Sequence, residues 1–130
     1  MDLEYQKACK KYSVKYMNNS KWLKLFKAWV DAGIEVEVTY WKFIDSDHED
    51  IHCLPKSYDL LPNRFADGRF QPFEYKWILS VIIPRSYRPK SDVAFERSQD
   101  VDQLKSIAQK LGQFPIFDLE NGIEVRGYEE

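Results

Sequence analysis

The stretch YKWILSVII, residues 75–83, decides the fold because it is apolar on both faces of an extended chain. Alternate positions of a strand point to opposite sides of a sheet, which separates two sets of large side chains. These sets are Tyr75, Trp77, Leu79 and Val81 on one face, and Ile78 and Ile82 on the other. A strand that is apolar on both faces is typical of the middle of a sheet, and Pro84 ends this one. The stretch therefore predicts a central strand.

Two other stretches show the two-residue period of strands that are buried on one face. In IEVEVTY, residues 34–40, apolar residues alternate with glutamate and threonine. The apolar phase changes at Trp41 and Phe43, which fits a β-bulge or burial on both faces. In FDLENGIEVRGY, residues 117–128, Asn121-Gly122 predicts a two-residue hairpin turn because both positions tolerate positive φ.

The N-terminal segment combines a helical period with many lysines. Residues 5–16 carry an apolar stripe at helical spacing, which predicts an amphipathic helix. Residues 1–27 hold seven lysines and two acidic residues, a net charge of +5, which leaves −7 for the rest of a chain with net charge −2. Such asymmetry indicates either a basic surface for nucleic acid, membrane or an acidic partner, or lysines that solvate the outer faces of two helices. We favour the solvated faces, which are usual for amphipathic helices.

Two further helices have recognisable capping residues. Residues 18–20, Asn-Asn-Ser, offer an N-cap for the second helix, and Gly33 ends it. Its predicted buried stripe consists of Trp22, Leu25, Phe26 and Trp29. Asp100 and Gln103 resemble a capping pair that opens the third helix, which Gly112 closes.

These elements predict the α+β class, with an antiparallel or mixed sheet of four to five strands and about three helices packed on it. A chain of 130 residues is expected to form one globular domain, residues 1–130, with its own core. Residues 45–74 are the least regular segment. A segment of this length either contains short elements or carries function.

The composition indicates a soluble globular protein, since 44% of the residues are hydrophobic and 31% are charged. The chain contains no apolar run as long as a signal peptide or a membrane span. Cys9 and Cys53 lie far apart, so we expect no disulfide framework and predict a reducing, cytoplasmic location.

Both histidines lie in the pentapeptide HEDIH, residues 48–52, which matches the zinc motif H-E-x-x-H. In that motif His48 and His52 would bind zinc from adjacent turns of one helix, and Glu49 would polarise the bound water. Pro55 would end such a helix after about two turns, and no downstream helix offers a third ligand. We therefore predict no catalytic residues and no metal site. A metal-assisted hydrolase built on this pentapeptide is the alternative.

A basic loop with an aromatic side chain follows the predicted central strand, and it contains Arg85, Tyr87, Arg88 and Lys90. This composition is compatible with contact to a partner, including nucleic acid. The acidic net charge opposes general phosphate binding, so we place a protein partner ahead of nucleic acid bound by this loop and the basic N-terminal region. The five glycines form no phosphate-binding loop, and we predict no cofactor.

Two short stretches resemble a family of small uncharacterised bacterial proteins. NNSKW, residues 18–22, resembles the family's N-N-x-K-W opening, and NGIEVRGY, residues 121–128, resembles its G-I-x-V-x-G-Y ending. The similarity covers the second helix and the final third of the chain, while the middle departs from the family pattern. The resemblance implies a bacterial, soluble, single-domain protein and supplies no activity or catalytic residue.

The sequence favours a non-enzymatic cytoplasmic module that binds another protein, for example an adaptor, a regulator or an immunity-like protein. It lacks an assembled catalytic constellation, but it is 15% aromatic, unevenly charged and irregular over residues 45–74. No membrane partner is expected. An edge strand or an exposed aromatic helix face would also support a homodimer.

Overall fold

Antiparallel strands and two principal helices make up most of the secondary structure. The computed structural model describes residues 6–7, 9–10, 12–34, 36–44, 49–53, 60, 64–65, 73–88 and 96–129. The principal helices are α1 (Asn19–Asp31) and α2 (Val101–Leu111), and a short 3-10 helix spans Tyr75–Trp77. The strands are β1 (Val14–Lys15), β2 (Thr39–Phe43), β3 (Glu49–His52), β4 (Arg64–Phe65), β5 (Phe73–Glu74), β6 (Ile78–Pro84), β7 (Ser86–Tyr87), β8 (Arg97–Ser98), β9 (Ile116–Leu119), β10 (Gly122–Arg126) and β11 (Tyr128–Glu129).

The main sheet has five strands in the order β3-β2-β6-β10-β9, and every neighbouring pair is antiparallel. The predicted α+β class is therefore confirmed, and the sheet, which was expected to be antiparallel or mixed with four to five strands, is antiparallel with five. The apolar stretch that predicted a central strand supplies β6, the middle strand of the five. β9 and β10 form the predicted hairpin, but its turn residues are Glu120 and Asn121, since Gly122 already pairs with Leu119. Of the two predicted turn residues, Gly122 has a positive φ and Asn121 does not. Smaller two-stranded pairings join β1 to β11, β4 to β5, and β7 to β8.

A bulge between β2 and β6 changes which side chains of the central strand face the core. Lys42 is aligned with Ser80, whereas Phe43 is aligned with Ile78, so the register skips Leu79. The predicted irregularity at residues 41–43 is confirmed. The predicted strand is wrong in two respects. Tyr75–Trp77 form a 3-10 helix, so the strand begins at Ile78, and the skipped residue turns Ile78 to the same buried side as Val81.

Helix α1 forms where its cap and its apolar stripe predict it. The side chain of Asn18 accepts a hydrogen bond of 2.8 Å from the backbone N–H of Lys21. The four predicted stripe residues are all buried: Trp22, Leu25, Phe26 and Trp29. The ring centroid of Phe26 lies 5.7 Å from that of Trp41 on the sheet and 6.0 Å from that of Tyr75. Aromatic packing therefore holds α1 on the sheet.

Helix α2 packs beside α1 on the same face of the sheet. Asp100 caps it by accepting a hydrogen bond from the backbone N–H of Gln103. Val101, Leu104 and Ala108 are buried in the core cluster that also holds the stripe of α1. The indole Nε1 of Trp29 donates to the carbonyl of Leu104 at 2.9 Å, which joins the two helices.

Two principal helices are present among the described residues, so the prediction of about three is slightly off. Within residues 5–16, helical geometry is described only at residues 6–7 and 9, and Val14–Lys15 form β1 instead. The backbone N–H of Ser13 donates to the carbonyl of Glu129, and that of Tyr16 donates to the carbonyl of Gly127 at 2.8 Å. Pairing with the C-terminal strand overrides the helical spacing, because it satisfies backbone groups that a helix would have paired locally.

The predicted strand over residues 34–40 begins later than expected, at Thr39. Gln99 explains the delay. Its buried side chain accepts hydrogen bonds of 3.0 Å from the backbone N–H groups of Glu37 and Val38, and it donates to the carbonyls of Val38 and Pro84. These side-chain bonds replace the strand ladder before Thr39.

The irregular segment, residues 45–74, contains short elements where the structure describes it, namely β3, β4 and β5. Residues 45–48, 54–59, 61–63 and 66–72 lie outside the described residues. In the described part of the chain, no helix is both long and apolar enough to cross a membrane. The cytoplasmic location and the single domain over residues 1–130 stay predictions.

Candidate functional site

The face of the main sheet that points away from the helices, which we call the outer face, carries a row of large apolar side chains. Tyr40 is aligned with Ile51 on one neighbouring strand and with Ile82 on the other. Glu124 is aligned with both Ile82 and Phe117. Adjacent positions on the central strands are buried in the core, so these side chains point outward. We call Tyr40, Ile51, Ile82 and Phe117 the apolar row, in which Glu124 separates Phe117 from the other three. Ile51 is 55% exposed, and the others are half-buried.

A second row, of polar side chains, lies beside the apolar row on the same face. Lys42 is aligned with Glu49 on one side and with Ser80 on the other, and Ser80 is aligned with Arg126. We call these four residues the charged row. Nζ of Lys42 lies 3.9 Å from the carboxylate of Glu49, and both side chains are nearly half exposed. Such a pair contributes about 0–1 kcal/mol, so Lys42 is only weakly held.

Arg126 is held far more firmly than Lys42. Its Nε donates to Glu124 at 2.8 Å, and its Nη1 donates to Glu129 at 3.3 Å. Its guanidinium carbon lies 4.0 Å from the ring centroid of Phe117. The hydrogen bond to Glu124 raises the pKa of Arg126. The guanidinium is therefore a charge in a fixed place at one end of the row.

Tyrosines from both ends of the chain border the charged row. The rings of Tyr12 and Tyr128 lie 5.6 Å apart, and the hydroxyl of Tyr128 donates to the carbonyl of Lys76 at 2.6 Å. The hydroxyl of Tyr16 donates to Glu129, and this bond raises the pKa of the phenol. Strand pairing of β1 with β11 places these rings here.

A recess of about 310 Å³ opens where the charged row meets the tyrosines. Lys42, Ser80, Glu124 and Arg126 line it from the sheet, and Tyr12 lines it from the N-terminal segment. Ser80 is 3% exposed, and its Oγ makes no hydrogen bond in the part of the chain that the structure describes. Buried hydroxyls nearly always have a partner, so this oxygen is a bonding group with unused capacity.

The predicted partner-binding loop is only partly described, and its first residue is used within the chain. Arg85 donates to both carboxylate oxygens of Asp102, at 2.7 and 3.0 Å, beside the start of α2. These bonds hold the pKa of Asp102 below its ordinary value. Arg88 is exposed, and Lys90 lies outside the described residues.

Tyr87 of the same loop is also bonded within the chain. Its hydroxyl donates to Glu37 at 2.8 Å, and Arg97 lies 3.6 Å from the same carboxylate. Burial, and then the bond to Glu37, raise the pKa of Tyr87. Arg85 and Tyr87 thus each join the loop to another element, and their proposed contact with a partner stays a prediction.

The zinc-like pentapeptide is extended where it is described. Glu49 to His52 form edge strand β3, with His52 aligned to Thr39, and His48 lies outside the described residues. An extended strand rises about 3.3 Å per residue, so it does not bring positions four apart together as a helical turn does. Among the described residues, no three His, Cys, Asp or Glu side chains are grouped so that they could hold a metal ion. The hydrolase alternative stays a prediction.

Sequence reasoning missed the two rows of the outer face. A signal was present, since Lys42, Glu124 and Arg126 are polar positions of alternating strands and Ser80 interrupts the apolar run of residues 78–83. Only the strand order and register place these residues side by side.

Comparison with protein-family models, with curated proteins and with solved structures finds no match to this chain. The bacterial family resemblance of residues 18–22 and 121–128 therefore stays a prediction.

Proposed function

We propose that this protein is a non-enzymatic module that binds another protein through the outer face of its sheet, as an adaptor, regulatory or immunity-like component. The observation that carries the proposal is the apolar row, which lies outside the core cluster. Its most exposed member is Ile51, on edge strand β3. A large apolar side chain with this exposure gains free energy when a partner covers it.

The surroundings of the apolar row support a protein partner. Protein interfaces are enriched in aromatic residues and arginine at their centre and are bordered by polar groups. The aromatic residues and arginine here are Tyr40, Phe117 and Arg126. A polar border beside Ile51 is formed by Lys42 and Glu49. An edge strand such as β3 also offers backbone groups for pairing with a partner's strand.

Photo-crosslinking in the native host tests the proposal. A photoreactive phenylalanine analogue is placed at Ile51, and in a matched control it is placed at Gln109, which is exposed on helix α2. We expect a discrete crosslinked protein from position 51 and none from position 109. An Ile51→Lys variant should capture that protein about tenfold less well, because it removes apolar burial worth about 1 kcal/mol and places a charge in the contact.

Two results would overturn the proposal. One is equal crosslinking from positions 51 and 109. The other is the absence of any crosslinked protein together with hydrolase activity of the purified chain in a broad substrate screen, which would favour the enzyme alternative.

A further inference from the structure

The buried hydroxyl of Ser80 has bonding capacity that the described chain does not use. The residue is 3% exposed and is one of the residues that line the recess beside the charged row, while its Oγ itself is almost completely covered. A serine hydroxyl donates one hydrogen bond and accepts others. Because leaving such a group unpaired is unfavourable, a ligand atom that bonds to it gains more than it would at a solvated hydroxyl.

Both cross-strand neighbours of Ser80 are cations. Lys42 is aligned with it on β2 and Arg126 on β10. Directly opposed side chains have Cβ atoms roughly 4.5–5.5 Å apart, so both positive groups start within reach of an atom bonded to Oγ. Two acidic residues also line the recess, and both are bonded to Arg126: Glu124 lies two residues away on β10, opposite Ile82, and Glu129 lies on β11. The immediate surroundings of the hydroxyl thus favour a negatively charged acceptor.

The two cations differ in how firmly bonds within the chain hold their side chains in place. Glu124 and Glu129 hold Arg126 at 2.8 and 3.3 Å, so its guanidinium stays where it is. Nζ of Lys42 lies 3.9 Å from the carboxylate of Glu49, and the Lys42 side chain is 46% exposed. It can turn from Glu49 toward the recess at little cost. Lys42 and Ser80 are therefore the pair that would bind an anion directly.

We propose that the recess binds the carboxylate of an aspartate or glutamate side chain on the protein partner. The hydroxyl of Ser80 donates to one carboxylate oxygen, Nζ of Lys42 pairs with the same group, and Arg126 supplies a positive charge beside them. The inference rests on the proposed function and deepens it. In the complex, a carboxylate of the partner would bind at the charged row while apolar groups of the partner cover Ile51.

Nuclear magnetic resonance of the full 15N-labelled chain tests the site directly. The probes are sodium acetate and a short glycine-rich peptide with one central glutamate, compared with the same peptide carrying glutamine. Sodium chloride keeps the ionic strength the same in every titration. Methylammonium and inorganic phosphate are titrated separately, as a cation and as a different anion. We expect saturable shifts of the amides of residues 42, 80 and 126 with acetate and with the glutamate peptide, and none with the glutamine peptide.

Three variants assign the effect to the proposed groups. Ser80→Ala and Lys42→Met should each lower the affinity for the glutamate peptide about tenfold or more, since each removes a hydrogen bond to a charged group. Lys27→Met removes an exposed lysine on helix α1, and should leave the affinity unchanged. Lys42 is exposed, so its variant keeps the test valid even if Ser80→Ala alters the fold.

Several outcomes would overturn the inference: no saturable shift, equal affinity in all variants, or tighter binding of methylammonium or phosphate than of the carboxylates. If position 51 crosslinks a partner while the carboxylate probes fail, the proposed function stands and this inference falls. If acetate binds but the glutamate peptide does not, the site takes free small carboxylates, and the acidic side chain is excluded.

Discussion

Replacing Ser80 with alanine should stabilise the unliganded protein, which is the reverse of the usual effect of a core substitution. The wild-type chain buries the hydroxyl without a partner among the described residues. That loss of hydration costs about 1–3 kcal/mol. Alanine removes this cost and gives up the dispersion contacts of one oxygen atom, each worth about 0.1–0.2 kcal/mol. We expect a net gain of about 1 kcal/mol in the free energy of unfolding.

Thr39 provides a matched control, because it is the other buried hydroxyl of the central strands. It is 0% exposed, and its Oγ1 accepts a hydrogen bond from the indole of Trp41. Thr39→Val keeps the shape of the side chain and removes the acceptor of that bond. We expect it to lower the free energy of unfolding by about 1–3 kcal/mol. The two hydroxyl deletions should therefore have opposite signs.

Urea denaturation followed by tryptophan fluorescence measures both changes, and thermal unfolding provides a second measurement. For a chain of this length, a gain of 1 kcal/mol corresponds to a rise in Tm of about 4 °C. A Ser80→Ala variant that is destabilised by about as much as Thr39→Val would refute the reasoning. It would mean that Ser80 Oγ is stabilised in the unliganded protein.

Three other predictions follow from single contacts. Gln99→Leu should lower the free energy of unfolding by about 3–5 kcal/mol in urea denaturation, because four backbone bonds depend on that buried amide; a loss under about 1 kcal/mol would contradict this. Gly127→Ala should lower the free energy of unfolding by about 3 kcal/mol or more, since its Cβ would lie 2.3 Å from a backbone oxygen. In the control Gly112→Ala the nearest atom is 3.7 Å away, so the loss should be under about 1 kcal/mol. Similar losses of Tm in the two variants would exclude the clash. The bond from Arg85 holds the pKa of Asp102 below 3.8, so its stabilisation is complete above that pH and disappears as the pH falls through the lower folded-state value. The Tm difference between wild type and Arg85→Met should therefore shrink as the pH falls, and a difference that stays constant through the acid range would count against it.

Elements with strong local signals were predictable from the sequence. Helix α1 has an asparagine cap and a complete buried stripe, and Asn121-Gly122 marks the hairpin, whose turn residues are Glu120 and Asn121. Residues 78–83 are apolar enough to belong only in the middle of a sheet. In each case the deciding interactions lie within a few residues of one another along the chain.

Elements whose bonds come from distant residues were not predictable in the same way. Residues 13–16 have helical spacing, yet they pair with residues 127–129, more than a hundred positions away. The start of β2 is set by Gln99, about sixty positions further along the chain. The periodicity of hydrophobic residues predicts which side chains are buried, but it does not predict with which distant segment the backbone pairs.

The same distinction separates the residues of the candidate site from their arrangement. By itself, the sequence determined the α+β class, the caps and the hairpin. Only the tertiary structure decided that Lys42 and Arg126 flank a buried Ser80 and that Tyr40, Ile82 and Phe117 join Ile51 in one row. The physical reason is register: a shift by one residue reverses the face of every side chain in a strand, and long-range pairing sets that shift.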